Sequence, residues 1–104
     1  MDIDELESLT DIQKYIWQMN VDRGFSDNTP EQKMLLLTEE FGELAKAIRK
    51  TIGMGFDAAT TTTEVKEELA DVQILLLGLA SMLDVDMTDA IRIKEDKNRK
   101  RTWS

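Results

Sequence analysis

The sequence predicts an all-α protein, a four-helix bundle, on three observations. Breakers are scarce, with one Pro and five Gly in 104 residues. Apolar residues recur at steps of three and four in four separate segments. The connections between those segments are short, which favours antiparallel neighbours.

The first helix is expected over about 9 to 23. Leu9, Ile12, Ile16 and Met19 keep helical spacing, with Tyr15 beside them, and Gly24 is a natural stop. Its start is open between a Thr10/Gln13 capping box and a preceding turn over Asp2 to Glu7. The second helix has a clear start: Thr29 as N-cap, Pro30 at the first helical position, and Gln32 completing the box. It runs to about Lys50 or Thr51, before Gly53 and Gly55, with Leu37, Phe41, Leu44 and Ile48 as one apolar stripe.

Residues 52 to 62 read as a loop. Threonines 60 to 63 offer N-caps to a third helix over about Thr63 to Leu83, Thr61 with Glu64 among them. Past Asp71 this helix is apolar nearly all round, so it should be buried on more than one side. In so small a chain the second side is assigned to another subunit, which makes the protein a homo-oligomer through its third helix. The fourth helix is expected from near Asp86 to about Arg101, with Met87, Ala90 and Ile91 facing inward.

The whole of 1–104 is one domain by length. There is no Cys and no His, so disulfides, thiolate sites and the usual neutral-pH base are excluded. Metal chemistry, if present, falls to carboxylates and hence to hard cations such as Mg²⁺, Mn²⁺ or Ca²⁺. A formal net charge of −8 argues against binding nucleic-acid polymers. The acidic start, MDIDELESLT, lacks the apolar run of a signal peptide, and no segment is long and apolar enough for a membrane. A cytoplasmic setting is the expectation. The charge is uneven: residues 92 to 101 carry six basic and two acidic side chains.

Carboxylates gather on the two central helices. Glu39, Glu40 and Glu43 lie on the second; Glu64, Glu67, Glu68 and Asp71 lie on the third. Glu40/Glu43 and Glu68/Asp71 are each three apart, so each pair shares a face beside an apolar stripe. Four carboxylates turned partly toward a core would repel strongly, and one or two Mg²⁺ ions would relieve them. The competing reading is a solvated acidic surface, the common fate of such pairs. On the fourth helix Lys94, Asn98 and Arg101 share one face. They suit the phosphates and base or sugar of a nucleotide, or simply the negative end of a helix dipole. Trp17 and Trp103 are candidates for stacking on a base, against ordinary packing roles.

Together these residues resemble the MazG-like family of all-α nucleoside triphosphate pyrophosphohydrolases. That family's signature is Glu-Glu-x-x-Glu, a spacer, then Glu-x-x-Asp. Here it reads Glu39-Glu40-Phe-Gly-Glu43, a spacer of 24, then Glu68-Leu-Ala-Asp71. The tail KEDKNRKR resembles the family's Lys-x₃-Asn segment. The likeness implies a four-helix subunit that assembles as a homodimer or homotetramer. It implies Mg²⁺, with Mn²⁺ as a substitute, held by Glu40, Glu43, Glu68 and Asp71, with Glu39 either supporting these ligands from behind or orienting the attacking water. Lys94, Asn98 and Arg101 would hold the substrate, with Trp17 as the stacking candidate. The implied reaction cuts a (d)NTP to (d)NMP and pyrophosphate, in nucleotide-pool house-cleaning. The alternative is a non-catalytic helical module that senses nucleotides or binds a partner.

Overall fold

The computed structural model describes residues 3–53 and 62–101. Among them are four α-helices and no strand: α1 (Leu9–Asp22), α2 (Pro30–Thr51), α3 (Thr62–Met82) and α4 (Met87–Arg99), preceded by a 3₁₀ turn at Ile3–Glu5. The expected all-α class holds, and each helix lies within a residue or two of its expected place. Thr61 and Trp103 lie outside the described residues.

The turn before α1 settles the open choice at its start. Ser8, not Thr10, caps α1, accepting from the Asp11 N–H at 3.1 Å. Thr10 and Gln13 are spent on tertiary bonds instead. The Thr10 and Thr88 hydroxyls meet at 2.7 Å. The buried Gln13 amide donates to the Val85 carbonyl at 2.7 Å and Ser81 Oγ at 3.1 Å, and its oxygen accepts from the Met87 N–H at 2.9 Å. One glutamine thus ties α1 to the whole α3–α4 turn, satisfying backbone groups that helix ends leave open. Gly24 ends α1 at φ +78, with Phe25 N–H reaching back to the Asn20 carbonyl at 2.7 Å. The Thr29/Gln32 capping box starts α2 as expected.

The closest packing is between α2 and α3; α1 lies on α3, and α4 on α1. Leu37, Val72 and Leu79 form the buried cluster, with Leu44, Leu75 and Leu76 against it. The stripe expected on α2 is therefore split. Leu37 is 3% exposed, but Phe41 is 51% exposed and Ile48 is exposed as well. At 100° per residue the buried arc centres on positions 33, 37, 40, 44 and 47, and positions 34, 41 and 48 fall to one side of it. On α3 the second apolar side is met in part within the chain. Gly78 faces α1, where an added Cβ would stand 2.8 Å from Asn20 Nδ2 and 3.9 Å from Ile16. Of the inward set expected on α4, Met87 and Ala90 are half-buried and Ile91 is 52% exposed, because α4 packs mainly on α1 and only lightly there.

Candidate active site

The antiparallel hairpin of α2 and α3 sets Glu40 against the turn of α3 that carries Glu68 and Asp71. Glu40 lies one turn beyond the buried Leu37, and Glu68 one turn before the buried Val72, so both carboxylates border the core. Each of the three offers an oxygen, and these oxygens all lie within 4.8 Å of one another. Glu40 and Glu68 are half-buried and Asp71 is exposed, so the cluster opens to solvent on one side.

Glu68 is the strained member. Its Oε2 is buried and has no hydrogen-bond partner. Its pKa is raised, first by burial, then by the hydrogen bond shared with Glu40, then by the charges of Glu40, Asp71 and Glu43. A cation placed among these carboxylates would relieve the same repulsion that raises the Glu68 pKa. The orphaned oxygen, the hard donors and the open side together fit a divalent cation of the Mg²⁺ kind. The bare alternative, a solvated acidic surface, accounts for neither the burial nor the missing partner.

The other residues singled out by sequence are placed less tightly. Glu43 is exposed and lies outside the three-carboxylate group, though near enough for its charge to bear on Glu68. Glu39 is exposed, a 100° step away from Glu40 around α2. Lys94 is exposed and Asn98 half-buried, and no bond joins either to the carboxylates of α2 or α3 among the described residues. Arg101 is exposed. Within the basic segment Asp96 is bonded to Arg99 at 2.6 Å and Lys100 at 2.8 Å, which offsets part of its positive charge.

Trp17 is half-buried and lines a cleft of about 630 Å³ with Gln13, Ser81, Asp84 and Asp86. Ser81 is ten residues past Asp71, or about 15 Å along α3, so this ring is not among its own chain's carboxylates. One residue near the site was missed by sequence. Lys33, one turn before Leu37, is 4% exposed. Its signal was its place on the arc of positions 37, 40 and 44, which lysine's ordinary surface habit obscures.

An all-helical hairpin with acidic residues on facing helices, one of them buried and short of a partner, is an arrangement that suits metal-assisted hydrolysis. The chain belongs to the MazG nucleotide pyrophosphohydrolase domain family, whose model matches residues 28–103. It is similar to a dATP/dGTP diphosphohydrolase of Cyanophage S-2L, 38% identical over 94% of this chain and 76% of that protein. A dATP/dGTP diphosphohydrolase of Salmonella phage PMBT28 is 33% identical over 92% of this chain, which spans only 28% of that longer protein. The uncharacterized protein YvdC of Bacillus subtilis is 31% identical over 89% of this chain and 94% of its own length. The activity of the class follows: the chain is a nucleotide pyrophosphohydrolase.

Proposed function

We propose that the chain hydrolyses purine deoxynucleoside triphosphates to the monophosphate and pyrophosphate with Mg²⁺, Mn²⁺ serving as a substitute. The observation that carries this reading is the buried, unpartnered Oε2 of Glu68 among the oxygens of Glu40 and Asp71. The purine substrates are taken from the names of the two phage relatives.

Glu40, Glu68 and Asp71 would hold the cation, and Glu43 would join them with a modest swing of its exposed side chain. When bound, the metal neutralises phosphate charge and makes bound water more acidic. The carboxylates fix where the α–β anhydride lies. Glu39 orients the attacking water and takes its proton as the bridging P–O bond breaks and pyrophosphate leaves. Lys94, Asn98 and Arg101 hold the phosphates and nucleoside, and Trp17 stacks on the base. Among the described residues Lys94, Asn98 and Trp17 are not bonded to Glu40, Glu68 or Asp71 of their own chain, and in this reading they act at the site of a second copy. Self-association is therefore part of the proposal, as a dimer or tetramer, with house-cleaning of the nucleotide pool in the cytoplasm as the role.

Pyrophosphate release from a panel of nucleotides, with Mg²⁺ and with EDTA, tests it. The expected result is metal-dependent pyrophosphate with the matching monophosphate, abolished by Glu40→Gln or Asp71→Asn in protein that keeps its helical circular dichroism. Release of orthophosphate, or unchanged turnover in both variants, would overturn the assignment. Binding of nucleotide without release would move the reading to a sensor.

A further inference from the structure

Lys33 is buried at 4% exposure, yet it has no ion pair and no side-chain hydrogen bond among the described residues. Its nearest polar interaction is with the Phe25 ring, whose centroid lies 5.9 Å from Nζ. That is the outer edge of a cation–π contact, made by an ammonium that sits at the surface above its buried stem. Burial lowers its pKa. Phe25 is held in place from below, its N–H bonded to the Asn20 carbonyl at 2.7 Å, while the ring itself stays 49% exposed.

Lys33 and Glu40 are two turns apart on one face of α2, about 10.5 Å along the axis. Side chains on a helix lean toward its N-terminus, so Lys33 points away from the carboxylates and toward Phe25. With phosphates held at Glu40, Glu68 and Asp71, a nucleotide laid along α2 would bring its base to this side of the site. A single donor beside an exposed ring suits a neutral base with acceptors on its edge better than a multiply charged phosphate. Guanine offers two acceptors there, O6 and N7, whereas adenine replaces O6 with a donor.

We propose that Lys33 and Phe25 form a base-recognition corner of the site, Lys33 donating to the O6/N7 edge of a 6-oxopurine and Phe25 covering the face of its ring that Trp17 leaves free. This rests on the nucleotide reading above and adds to it a preference for guanine over adenine nucleotides. The base enters by displacing the Phe25 ring from over the ammonium, which exchanges a weak contact for a hydrogen bond.

Lys33→Met keeps the volume and removes the donor. In the whole chain with Mg²⁺, wild type should turn over dGTP with a higher kcat/KM than dATP, and Lys33→Met should lose at least about fivefold on dGTP with little change on dATP. Calorimetric binding of dGMP, which lacks the β and γ phosphates, should weaken by the same factor, and Lys33→Arg should restore part of it. The thermal midpoint of Lys33→Met should equal or exceed that of wild type, which excludes a folding artefact. Equal losses on every triphosphate, with dGMP binding intact, would place Lys33 on phosphate and overturn the proposal. Unchanged selectivity and dGMP affinity would also overturn it. Absence of turnover in wild type with dGMP still bound in a Lys33-dependent way would sink the enzyme reading and leave this one standing.

Discussion

At the scale of single residues, Glu68 links the site to stability. Its pKa in the folded, metal-free protein lies above the ordinary carboxylate range, through burial and then through Glu40, Asp71 and Glu43. The folded state therefore holds this proton more tightly than the unfolded chain. That contribution is fully present below the unfolded pKa and is lost as pH rises through the raised one. In EDTA, the thermal midpoint of wild type should fall, relative to Glu68→Gln, as pH climbs from the acid side to neutrality. Saturating Mg²⁺ should close the gap by binding the folded state alone. Parallel pH curves for the two proteins in EDTA would show that Glu68 is not strained. Asp84 is a second strained residue, in the left-handed region at φ 59 where α3 ends. The N–H of Val85 bonds the Ala80 carbonyl at 2.9 Å and that of Asp84 bonds Ser81 at 3.1 Å, the pattern in which glycine is favoured. Asp84→Gly should raise unfolding free energy by up to about 1 kcal/mol in urea titration. A loss would mean that the Asp84 side chain does something beyond ending the helix.

At the scale of helices, close approach governs where α1 lies. Gly78→Ala in a helix interior ordinarily gains about 0.5–1 kcal/mol. Here the new methyl would meet Asn20 Nδ2 at 2.8 Å, and Asn20 is only 4% exposed, so it cannot swing freely. Overpacking of this kind costs about 1–3 kcal/mol, so the clash wins and the variant should be less stable by about 1 kcal/mol. In an Asn20→Ala background the same change should become stabilising; an equal loss in both backgrounds would rule out the Asn20 contact as the cause. This scale also shows what was legible in the sequence. The α2 start was readable because Thr29, Pro30 and Gln32 act within one turn. Glu40, Glu68 and Asp71 were readable because their three-residue spacing and their apolar neighbours fix the face they occupy. The burial of Phe41 and Ile48 was misread because the apolar arc on α2 is wider than α3 can cover. Lys33 and Asn20 were invisible for the opposite reason: polar side chains were assigned to solvent, and only the assembled packing puts them inside. The same holds for Gln13, which helix-local rules assign to a cap, whereas packing gives it the α3–α4 turn.

At the scale of the molecule, the proposed self-association has exposed apolar surface to draw on. The radius of gyration is 16.4 Å, against about 13 Å for a compact domain of 100 residues. Met34, Phe41 and Ile48 are exposed on α2 at intervals of seven, and Ile52 is exposed at its C-cap. Leu69 and Ile74 are exposed on α3. Burying a large apolar side chain fully contributes about 1.5–3 kcal/mol, and roughly half of that remains to be gained for side chains already half-covered. Two copies of the α2 stripe would then supply roughly 6–12 kcal/mol, within the range of about 4–15 kcal/mol that association itself costs. The α2 stripe alone would thus make a weak pair, so an oligomer of the kind proposed would have to use the exposed residues of α3 as well. Sedimentation equilibrium should give a dimer or tetramer for wild type. Phe41→Lys with Ile48→Lys should give a monomer with unchanged helical circular dichroism, since neither side chain belongs to the buried cluster. The monomer should also lose turnover if Lys94 and Asn98 reach the carboxylates of a second copy. A monomeric wild type at every concentration would remove the partner, and a monomeric variant that remains active would return those two residues to their own chain's site.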